Sequence, residues 1–294
     1  MLKNILITGA HGQLGKELQQ LTPDYPNFHF LYTDIESLDL SDQEQLMDFF
    51  NLHIIDYVIN CAAYTAVDQA EDEEELCYRI NRDGITNLAT AVDFYTKIIH
   101  ISTDYVFDGH HSIPYVESDR VNPQSVYGKS KRQGEINLFK LRPDSIIIRT
   151  SWLYSSYGKN FVNTILRLGR EKETLHVVND QLGAPTYAAD LARAILDIIV
   201  SGEKETRFVS GFYHYSNEGM CSWYGFAQKI IELAGISSCT IVPITTAEYP
   251  VRATRPMYSV LNKTKIKNTF RLSIPDWEES LKVCMSRIIK QEIK

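Results

Sequence analysis

The chain has 294 residues, of which 44% are hydrophobic, so it is long enough for one large domain or two unequal ones. Its formal net charge of −7 argues against nucleic acid or an anionic membrane surface as a partner, and no apolar run approaches the length of a membrane span. The five cysteines are scattered without a C-x-x-C pair, which predicts a reduced, cytoplasmic protein with neither a zinc site nor a disulfide framework.

The first 21 residues predict a strand, a glycine turn and an amphipathic helix, in that order. Ile5 to Ile7 form a short apolar run, and leucines recur at helical spacing from Leu14 to Leu21. The turn and the start of the helix carry three glycines at three-residue spacing: Gly9, Gly12 and Gly15. Such a turn lets the backbone approach a pyrophosphate while the helix N-terminus faces the anion. The spacing therefore predicts dinucleotide binding, although glycine-rich turns between a strand and a helix also occur without nucleotides.

An acidic residue follows the second predicted strand, Phe28 to Thr33, at the place where a dinucleotide ribose would lie. Asp34 at this position can accept hydrogen bonds from the ribose hydroxyls. Asp34 and Glu36 would also repel a 2′-phosphate, which mildly favours NADH over NADPH. The alternative is that Asp34 only begins a turn before the next helix, which is predicted over Gln43 to Leu52.

Strands and helices continue to alternate up to about residue 102. Apolar runs predict strands over Tyr57 to Ala62 and Ile98 to Ser102. The segment between them predicts an acidic helix over Glu71 to Leu76 and a further helix that begins at Asn81. Repeated strand–helix units predict an α/β fold with a Rossmann-type, doubly wound parallel sheet. In such folds the ligand binds at the carboxyl ends of the strands.

A candidate catalytic set follows the strand that ends at Ser102. If a helix starts near Tyr127, then Tyr127 and Lys131 are four residues apart and share one face. Lys131, together with a cationic nicotinamide ring, could lower the pKa of Tyr127 for proton transfer near neutral pH, and Thr103 could hydrogen-bond the substrate oxygen. The Tyr-x-x-x-Lys pattern alone is common on helices, but here it follows a glycine fingerprint and a strand that ends in Ser-Thr.

The second half of the chain predicts a smaller, mixed α/β substrate domain. Helices are predicted over Asn160–Gly169, Tyr187–Val200, Ser222–Ala234 and Trp277–Lys290, and strands over His176–Val178 and Phe212–Ser216. Ser201 to Arg207 is predicted as a polar loop, and Val242 to Pro256 as an irregular loop. We therefore predict a dinucleotide-binding domain, 1–150, and a mainly substrate-binding domain, 151–294, with residues of about 175–200 returning to the first.

Five stretches of the sequence resemble the dTDP-4-dehydrorhamnose reductase family, which belongs to the extended short-chain dehydrogenases/reductases. They are HISTDYVFDG (100–109), NPQSVYGKSKRQGE (122–135), RTSWLYSSYGKNFV (149–162), NDQLGAPTYAADLA (179–192) and RPMYSVLN (255–262). The resemblance runs along essentially the whole chain, and the last three stretches separate this family from more general relatives. It implies reduction of the C4 keto group of dTDP-4-dehydro-L-rhamnose by NADPH or NADH, giving dTDP-L-rhamnose for cell-surface polysaccharide.

The resemblance also implies a role for each matching residue. Tyr127 would protonate the C4 oxygen, Lys131 would bind the nicotinamide ribose, and Thr103 would hold the carbonyl oxygen. The cofactor residues, including the glycines of the turn, are Gly9, His11, Gly12, Gln13, Leu14, Gly15, Asp34, Ala62, Ala63, Tyr64, Asn81, Tyr127 and Lys131. The dTDP-sugar residues are Thr65, Val67, Thr103, Asp104, Tyr105, Tyr127, Trp152 and Arg255.

Three of these substrate residues have a plainer structural interpretation. Trp152 could pack between domains, Asp104 could cap the next turn, and Arg255 could be a solvated loop cation. Two alternatives for the function are also open. One is reduction of a stereoisomeric dTDP-4-keto-6-deoxysugar, and the other is a non-catalytic, nucleotide-binding regulatory subunit. The intact catalytic set argues against the second alternative.

Some members of the family form a metal-bridged dimer through acidic side chains. Glu17 lies where one such carboxylate occurs, but Ala189, beside Asp190, replaces a second. Glu292 is only a weak match for a third. We therefore predict no bound metal and leave open a monomer or a homodimer.

Overall fold

The computed structural model of the chain describes residues 2–205 and 208–292. Six strands form one sheet: β1 Lys3–Thr8, β2 Phe28–Thr33, β3 Tyr57–Asn60, β4 Lys97–Thr103, β5 Ile146–Thr150 and β10 Gly211–Tyr215. The other strands are β6 Leu153–Tyr154, β7 Thr174–Val178, β8 Leu182–Gly183, β9 Thr186–Tyr187, β11 Cys221–Ser222 and β12 Thr240–Ile244. The helices are α1 Gln13–Leu21, α2 Gln43–Leu52, α3 Glu74–Tyr78, α4 Gly84–Ala91, α5 Val126–Leu141, α6 Phe161–Glu171, α7 Ala188–Glu205, α8 Trp223–Ala234, α9 Thr264–Phe270 and α10 Trp277–Glu292.

The main sheet is parallel throughout and has the strand order β2-β1-β3-β4-β5-β10. Because β1 lies between β2 and β3, the chain moves to one side of β1 first and to the other side from β3 onward. This reversal opens a crevice at the carboxyl ends of β1 and β3. Doubly wound folds bind their ligands in such a crevice.

Helices cover both faces of the sheet, which explains why its central strands are apolar at successive positions. All residues of β3 and β5 are buried, as expected for strands between two helix layers. On one face α1, α7 and α9 pack through a cluster that includes Leu18, Ile195 and Ile266. On the other face α2, α4 and α5 pack through a cluster that includes Leu46 and Leu138. The predicted doubly wound parallel sheet is confirmed.

A separate apolar cluster joins α6, α8 and α10 with β7. At its centre the ring of Phe226 contacts the rings of Tyr154, Phe161 and Trp277. β7 pairs in parallel with β12 and not with the main sheet, whereas β10 returns to the main sheet. The second half of the chain is therefore mixed α/β, while the position of a domain boundary stays a prediction. No helix within the described ranges combines the length and apolarity that crossing a membrane requires.

Some elements of the second half differ from the prediction. The sequence predicts a loop from Ser201, but α7 continues to Glu205, and Glu203 on this extension accepts a hydrogen bond from the Tyr57 hydroxyl. Thr206 and Arg207, the end of that predicted loop, lie outside the described residues. The sequence also predicts an irregular segment from Val242, but β12 extends to Ile244 because β7 satisfies its backbone. β5 and α9 are elements that the sequence analysis does not predict.

Asn81 lies inside a π-helical turn, Arg79–Asp83, and not at the start of a helix as the sequence predicts. The acidic helix is shifted as well, since α3 covers Glu74–Tyr78. The turn directs the Asn81 side chain inward, where its amide bonds both the N–H and the C=O of Tyr64 and the hydroxyl of Ser130. Asn81 therefore joins the loop after β3 to α5. π-Helical turns are frequent near functional sites.

Candidate active site

The turn after β1 brings backbone against the loop after β3. Gly9 has a φ of +65°, and a Cβ at this position would lie 2.7 Å from the backbone nitrogen of Ala62. A Cβ at Gly15 would lie 2.4 Å from the carbonyl oxygen of Gly9, so α1 packs directly on the turn. These two glycines allow the first turn of α1 to open onto the crevice between β1 and β3.

A cleft of about 670 Å³ begins at this turn and passes the carboxyl ends of β3, β4 and β5. The predicted residues that line it are Gly9, Gly12, Gln13, Leu14, Gly15, Ala63, Thr65, Val67, Thr103, Asp104, Tyr105, Tyr127, Lys131, Trp152 and Arg255. The predicted residues outside its lining are His11, Asp34, Ala62, Tyr64 and Asn81. The cleft thus joins the glycine turn to the candidate catalytic set and to every predicted substrate residue.

The cleft also has lining residues that sequence reasoning missed. They include Cys61, Thr150, Ser151, Lys159, Asn160, His176, Gln181, Trp223 and Tyr249. Two stretches that carry the family resemblance could have indicated five of them, namely Thr150, Ser151, Lys159, Asn160 and Gln181. His176 and Trp223 come from distant segments of the chain and have no local motif that could have indicated them.

The N-terminus of α5 places Tyr127 and Lys131 at the cleft. Ser125 caps the helix, because its hydroxyl oxygen accepts a hydrogen bond from the N–H of Gly128 at 3.1 Å. A Cβ at Gly128 would lie 2.3 Å from the carbonyl oxygen of Tyr105, so α5 packs closely on the turn that follows β4. Tyr127 and Lys131 are both buried, one helical turn apart, as the sequence predicts.

A buried carboxylate fixes α5 against β4 and β5. Glu135 accepts hydrogen bonds from Ser102 at 2.6 Å and from two nitrogens of Arg149 at 2.8 and 2.9 Å. The guanidinium of Arg149 also lies between the rings of Phe107 and Phe212, 5.2 and 5.0 Å from their centroids. Although burial alone would raise the pKa of Glu135, the charge of Arg149 holds it below its usual value. Sequence reasoning missed this pair.

Burial determines the electrostatics of the candidate catalytic groups. Burial raises the pKa of Tyr127 above its usual range, although an interaction with the Thr103 hydroxyl opposes the rise. The amine of Lys131 donates to the carbonyl oxygen of Ile101 at 2.7 Å, and burial lowers its pKa to about 8. Desolvation of the phenol dominates here, and the predicted lowering of the Tyr127 pKa by Lys131 together with a cationic nicotinamide ring stays a prediction. The phenol is therefore held in its protonated form.

Asp104 lines the cleft, and its carboxyl group is buried. Its Oδ1 accepts a hydrogen bond from Thr103 at 3.1 Å. Its Oδ2 is buried and has no hydrogen-bond partner among the residues that the structure describes. Burial raises the pKa of Asp104 to about 7. Interactions with the hydroxyls of Ser259 and Thr103 and with the backbone N–H groups of Asp104 and Tyr105 oppose this rise, so the carboxyl also stabilises the turn after β4. Its role toward a ligand stays a prediction.

Trp152 lines the cleft with a constrained indole. Its φ of 49° is uncommon for a residue other than glycine. The ring stacks on Trp223, with centroids 3.5 Å apart and an interplanar angle of 9°. A Cβ at Gly183 would lie 2.4 Å from the same ring, so this glycine makes room for it. Trp152 is therefore packed on one side and exposed to the cleft on another.

Two ion pairs lie beside the cleft, which Arg255 of one pair lines, and we call them the rim pairs. Asp68 accepts a hydrogen bond from Arg255 at 2.6 Å and one from the backbone N–H of Ala253 at 3.2 Å. Asp72 pairs with Arg252. The rim pairs join the loop after β3 to a loop about 180 residues later in the chain. Arg255 is thus a paired cation at the cleft, and not a solvated loop cation.

The predicted ribose acceptor lies beside the glycine turn. Asp34 Oδ2 accepts the backbone N–H of His11 at 2.7 Å, and its Oδ1 accepts the N–H of Ile35 at 2.9 Å. The imidazole of His11 lies 3.7 Å from the Asp34 carboxylate and 4.0 Å from that of Glu36. Asp34 therefore shapes the turn and still stands at the end of β2, where the sequence places it.

The carboxylate considered for a metal-bridged dimer has protein partners instead. Glu17 is buried, accepts a hydrogen bond from Ser155 at 2.6 Å, and pairs with Arg287 at 3.0 Å. Asp190 accepts hydrogen bonds from Asn217 and Ser280. Both acidic groups are therefore engaged within the chain, and the prediction of no bound metal stays a prediction.

A parallel Rossmann-type sheet whose glycine turn opens into a cleft with buried Thr, Tyr and Lys defines an extended short-chain dehydrogenase/reductase. A family model described as the RmlD substrate binding domain matches residues 3–289. A dTDP-4-dehydrorhamnose reductase of Aggregatibacter actinomycetemcomitans is 42% identical and covers 96% of this chain and 98% of its own length. The chain therefore belongs to the dTDP-4-dehydrorhamnose reductase family, which confirms the resemblance seen in the sequence.

Solved structures agree with this assignment. A dTDP-4-dehydrorhamnose reductase from Clostridium acetobutylicum superposes with a TM-score of 0.91 at 43% identity, over 97% of this chain and 99% of that chain. A dTDP-4-dehydrorhamnose reductase from Bacillus anthracis, in complex with NADP, gives a TM-score of 0.91 at 40% identity, over 98% of this chain and 100% of that chain. Similarity over nearly the full length means that the whole fold, and not one motif, is shared.

Proposed function

We propose that this chain reduces the C4 keto group of dTDP-4-dehydro-L-rhamnose with NADPH or NADH and produces dTDP-L-rhamnose. The observation that carries the proposal is the burial of Thr103, Tyr127 and Lys131 in a cleft that begins at the glycine turn. Relatives that bear the name of this reductase over nearly the full length of the chain support it.

The residues of the inner cleft fit a nicotinamide dinucleotide. Gly9, Gly12 and Gln13 would hold the pyrophosphate at the first turn of α1, where backbone N–H groups and the helix dipole favour an anion. Lys131 would hold the nicotinamide ribose. When bound, the reduced nicotinamide supplies the hydride that the reaction requires. Asp34 gives a mild preference for NADH, because its carboxylate would repel a 2′-phosphate.

Tyr127 supplies the proton. Its raised pKa keeps the phenol protonated until negative charge develops on the substrate C4 oxygen, which then takes the proton. Thr103 would turn its hydroxyl proton from Asp104 to the same oxygen and so fix the position of that oxygen. The balance is one hydride to C4 and one proton to the oxygen, which gives the alcohol. Because Tyr127 and Thr103 are both buried, water is excluded from this proton transfer.

The outer cleft would bind the dTDP-sugar. Arg255 would bind the diphosphate of the substrate. To do so it would break its ion pair with Asp68. Trp152 offers an apolar ring face to the deoxysugar, and the buried carboxyl of Asp104 accepts a sugar hydroxyl. These roles separate binding at the mouth of the cleft from chemistry at its inner end.

We further propose that the reaction takes place in the cytoplasm, with the chain as a monomer or a homodimer. All five cysteines are free, including the partly exposed Cys61 and Cys221, which suits a reducing compartment.

A coupled assay tests the function. Purified protein receives dTDP-4-keto-6-deoxyglucose, with or without a 3,5-epimerase, and either NADPH or NADH, and cofactor oxidation is followed by absorbance. Oxidation that depends on the epimerase is the expected result. Oxidation without the epimerase would assign the chain to a stereoisomeric ketosugar. Cofactor binding without oxidation of either cofactor would favour a regulatory subunit.

A further inference from the structure

A chain of buried polar groups lies behind Lys131 and has no part in the mechanism so far. His100, on β4, is 1% exposed. Its Nδ1 lies 2.9 Å from the side-chain nitrogen of Asn60, and its Nε2 lies 3.4 Å from the amine of Lys131. Asn60, at the end of β3, is buried as well and contacts Thr8 of β1. Three adjacent strands of the sheet therefore contribute to the surroundings of Lys131.

The orientation of the Asn60 amide follows from its partners. Its Oδ1 accepts the backbone N–H of Ala62 at 3.2 Å and the hydroxyl of Thr8 at 2.6 Å. A backbone N–H can only donate, so the atom that faces it must be the oxygen. The amide nitrogen of Asn60 consequently faces Nδ1 of His100, to which it can only donate.

This donor fixes the tautomer of His100. Nδ1 must present its lone pair to the Asn60 amide, so the single proton of a neutral imidazole lies on Nε2. Burial, together with the charge of Lys131, holds the pKa of His100 well below its usual value, which keeps the ring neutral. The Nε2–H therefore points toward the amine of Lys131.

The two protonation states of Lys131 respond differently to this N–H. An ammonium group would set one of its own N–H donors against the Nε2–H dipole, whereas a neutral amine can accept a hydrogen bond from it. The carbonyl oxygen of Ile101 accepts one hydrogen bond from the amine in either state. The imidazole thus favours the neutral amine.

The charge of Glu135, on the same helix, acts in the opposite direction, because it raises the pKa of Lys131. Cys61, from the loop after β3, and Cys77, from α3, lie near the amine as well, but burial raises the pKa of each thiol and keeps it neutral. Tyr127, one turn earlier on the helix, is neutral in its protonated form. Glu135 is itself paired with Arg149 and Arg132, so its field at Lys131 is reduced.

We propose that Asn60 and His100 are positioning residues that set the protonation state of Lys131. Asn60 fixes the imidazole tautomer, and the Nε2–H of that tautomer faces the lysine amine. The consequence for catalysis rests on the proposed function, since only there does Lys131 donate to the cofactor ribose. In that case Lys131 loses its proton at a lower pH than an ordinary lysine. Reductase activity then falls as the pH rises through the pKa of Lys131.

The variant Asn60→Asp reverses the tautomer. A carboxylate still accepts from Ala62 and Thr8, but it also accepts from Nδ1 of His100, which leaves Nε2 as an acceptor for an ammonium. The pKa of Lys131 is read in the cofactor-free protein from the pH dependence of its 13Cε chemical shift, assigned by its absence in Lys131→Met. We expect the midpoint to rise by about one pH unit or more in Asn60→Asp.

The added negative charge alone could also raise this pKa, so the same change is made in a His100→Phe background. If the tautomer carries the effect, Asn60→Asp raises the Lys131 midpoint in the His100→Phe background by less than half of the rise that it causes in the parent chain. An equal shift in both backgrounds, or no shift in Asn60→Asp, overturns the proposal. Should the variants not fold, the 15N shifts of His100 in the unaltered protein decide: a proton on Nε2 supports the proposal, and one on Nδ1 overturns it.

Activity gives a separate reading. In Asn60→Asp the alkaline fall of kcat/KM should move to higher pH by the same amount as the Lys131 midpoint, whereas a merely structural role would lower activity equally at every pH. If the chain does not reduce the ketosugar, the nuclear magnetic resonance titration is still readable, so failure of the function and failure of this proposal are distinguishable.

Discussion

The inner end and the mouth of the cleft are built by different physical means. At the inner end Thr103, Tyr127 and Lys131 are buried, and a buried carboxylate, Glu135, holds α5 against the strands. At the mouth, Arg255 and Asp68 form an ion pair whose side chains are 27% and 41% exposed. Water screens the second arrangement and not the first. The inner end is therefore rigid and strongly coupled, while the mouth can exchange partners.

This difference suits the proposed division of labour. Proton transfer requires donors that are placed before the substrate arrives, in a site from which water is excluded. Recognition of a charged nucleotide requires a cation that can leave its own partner at little cost. Changes at the inner end should therefore lower kcat or unfold the chain, and changes at the mouth should alter KM.

The largest effect should come from Tyr127→Phe. Loss of the phenol proton should lower kcat by roughly 10²–10⁴-fold while cofactor affinity stays near normal, because the ring still fills its place. Steady-state kinetics and cofactor titration measure the two quantities. Tyr95→Phe, which removes an exposed hydroxyl bonded to Asp93, is the matched control and should leave kcat unchanged. An unaltered kcat in Tyr127→Phe would remove the phenol from the mechanism.

The buried carboxylate should be the next most sensitive position. Glu135→Gln leaves Arg149 without its charge partner and should lower the free energy of unfolding by about 3–5 kcal/mol, measured by urea denaturation. The control Glu171→Gln breaks an exposed pair with Arg167 and should change it by less than about 1 kcal/mol. Equal effects of the two variants would contradict the contrast between buried and exposed charges.

The effect of Glu135 should also depend on pH. Because its pKa is lowered in the folded chain, its contribution to stability is present above the unfolded pKa and is lost as the pH falls through the folded value. The difference in unfolding free energy between the parent chain and Glu135→Gln should therefore shrink in acid. A difference that is constant from neutral to acidic pH would show that Glu135 acts through packing alone.

The mouth of the cleft should respond through KM. Arg255→Ala should raise the KM for the dTDP-sugar about tenfold, which corresponds to about 1.4 kcal/mol, with little change in kcat. Asp68→Asn should lower this KM a few-fold, because the substrate no longer competes with a carboxylate for Arg255. Changes of the same sign in the two variants would contradict the exchange of partners.

The smallest effect is expected at Asp34. Asp34→Ala removes a charge that would repel a 2′-phosphate, so the ratio of kcat/KM for NADPH to that for NADH should rise a few-fold. The N–H of His11 loses its acceptor in the same variant, so Asp34→Asn, which keeps an acceptor oxygen, serves as the control. A ratio that stays the same in both variants would end the argument for cofactor preference.

Sequence patterns predict the parts of the molecule that depend on neighbouring residues. The turn at Gly9 and the shared face of Tyr127 and Lys131 follow from spacing alone, because a few consecutive dihedral angles determine both. The family resemblance adds the substrate residues, all of which line the cleft. Their roles in binding stay predictions.

Contacts between distant segments could not be predicted. Asp68 and Arg255 are 187 residues apart, and Asn60 meets His100 only because β3 and β4 are neighbours in the sheet. The burial that raises the Tyr127 pKa could not be predicted for the same reason, since burial depends on the whole fold. The π-helical turn at Asn81 likewise has no signature in the local sequence.

The central claim is that this cleft delivers a hydride to C4 of the sugar and a proton from Tyr127 to its oxygen. The most direct test supplies cofactor that carries deuterium at both C4 positions of the nicotinamide and identifies the product by nuclear magnetic resonance. The account predicts dTDP-L-rhamnose with one deuterium at C4 of the sugar. A product without deuterium at C4, or a sugar of the opposite configuration there, would contradict it.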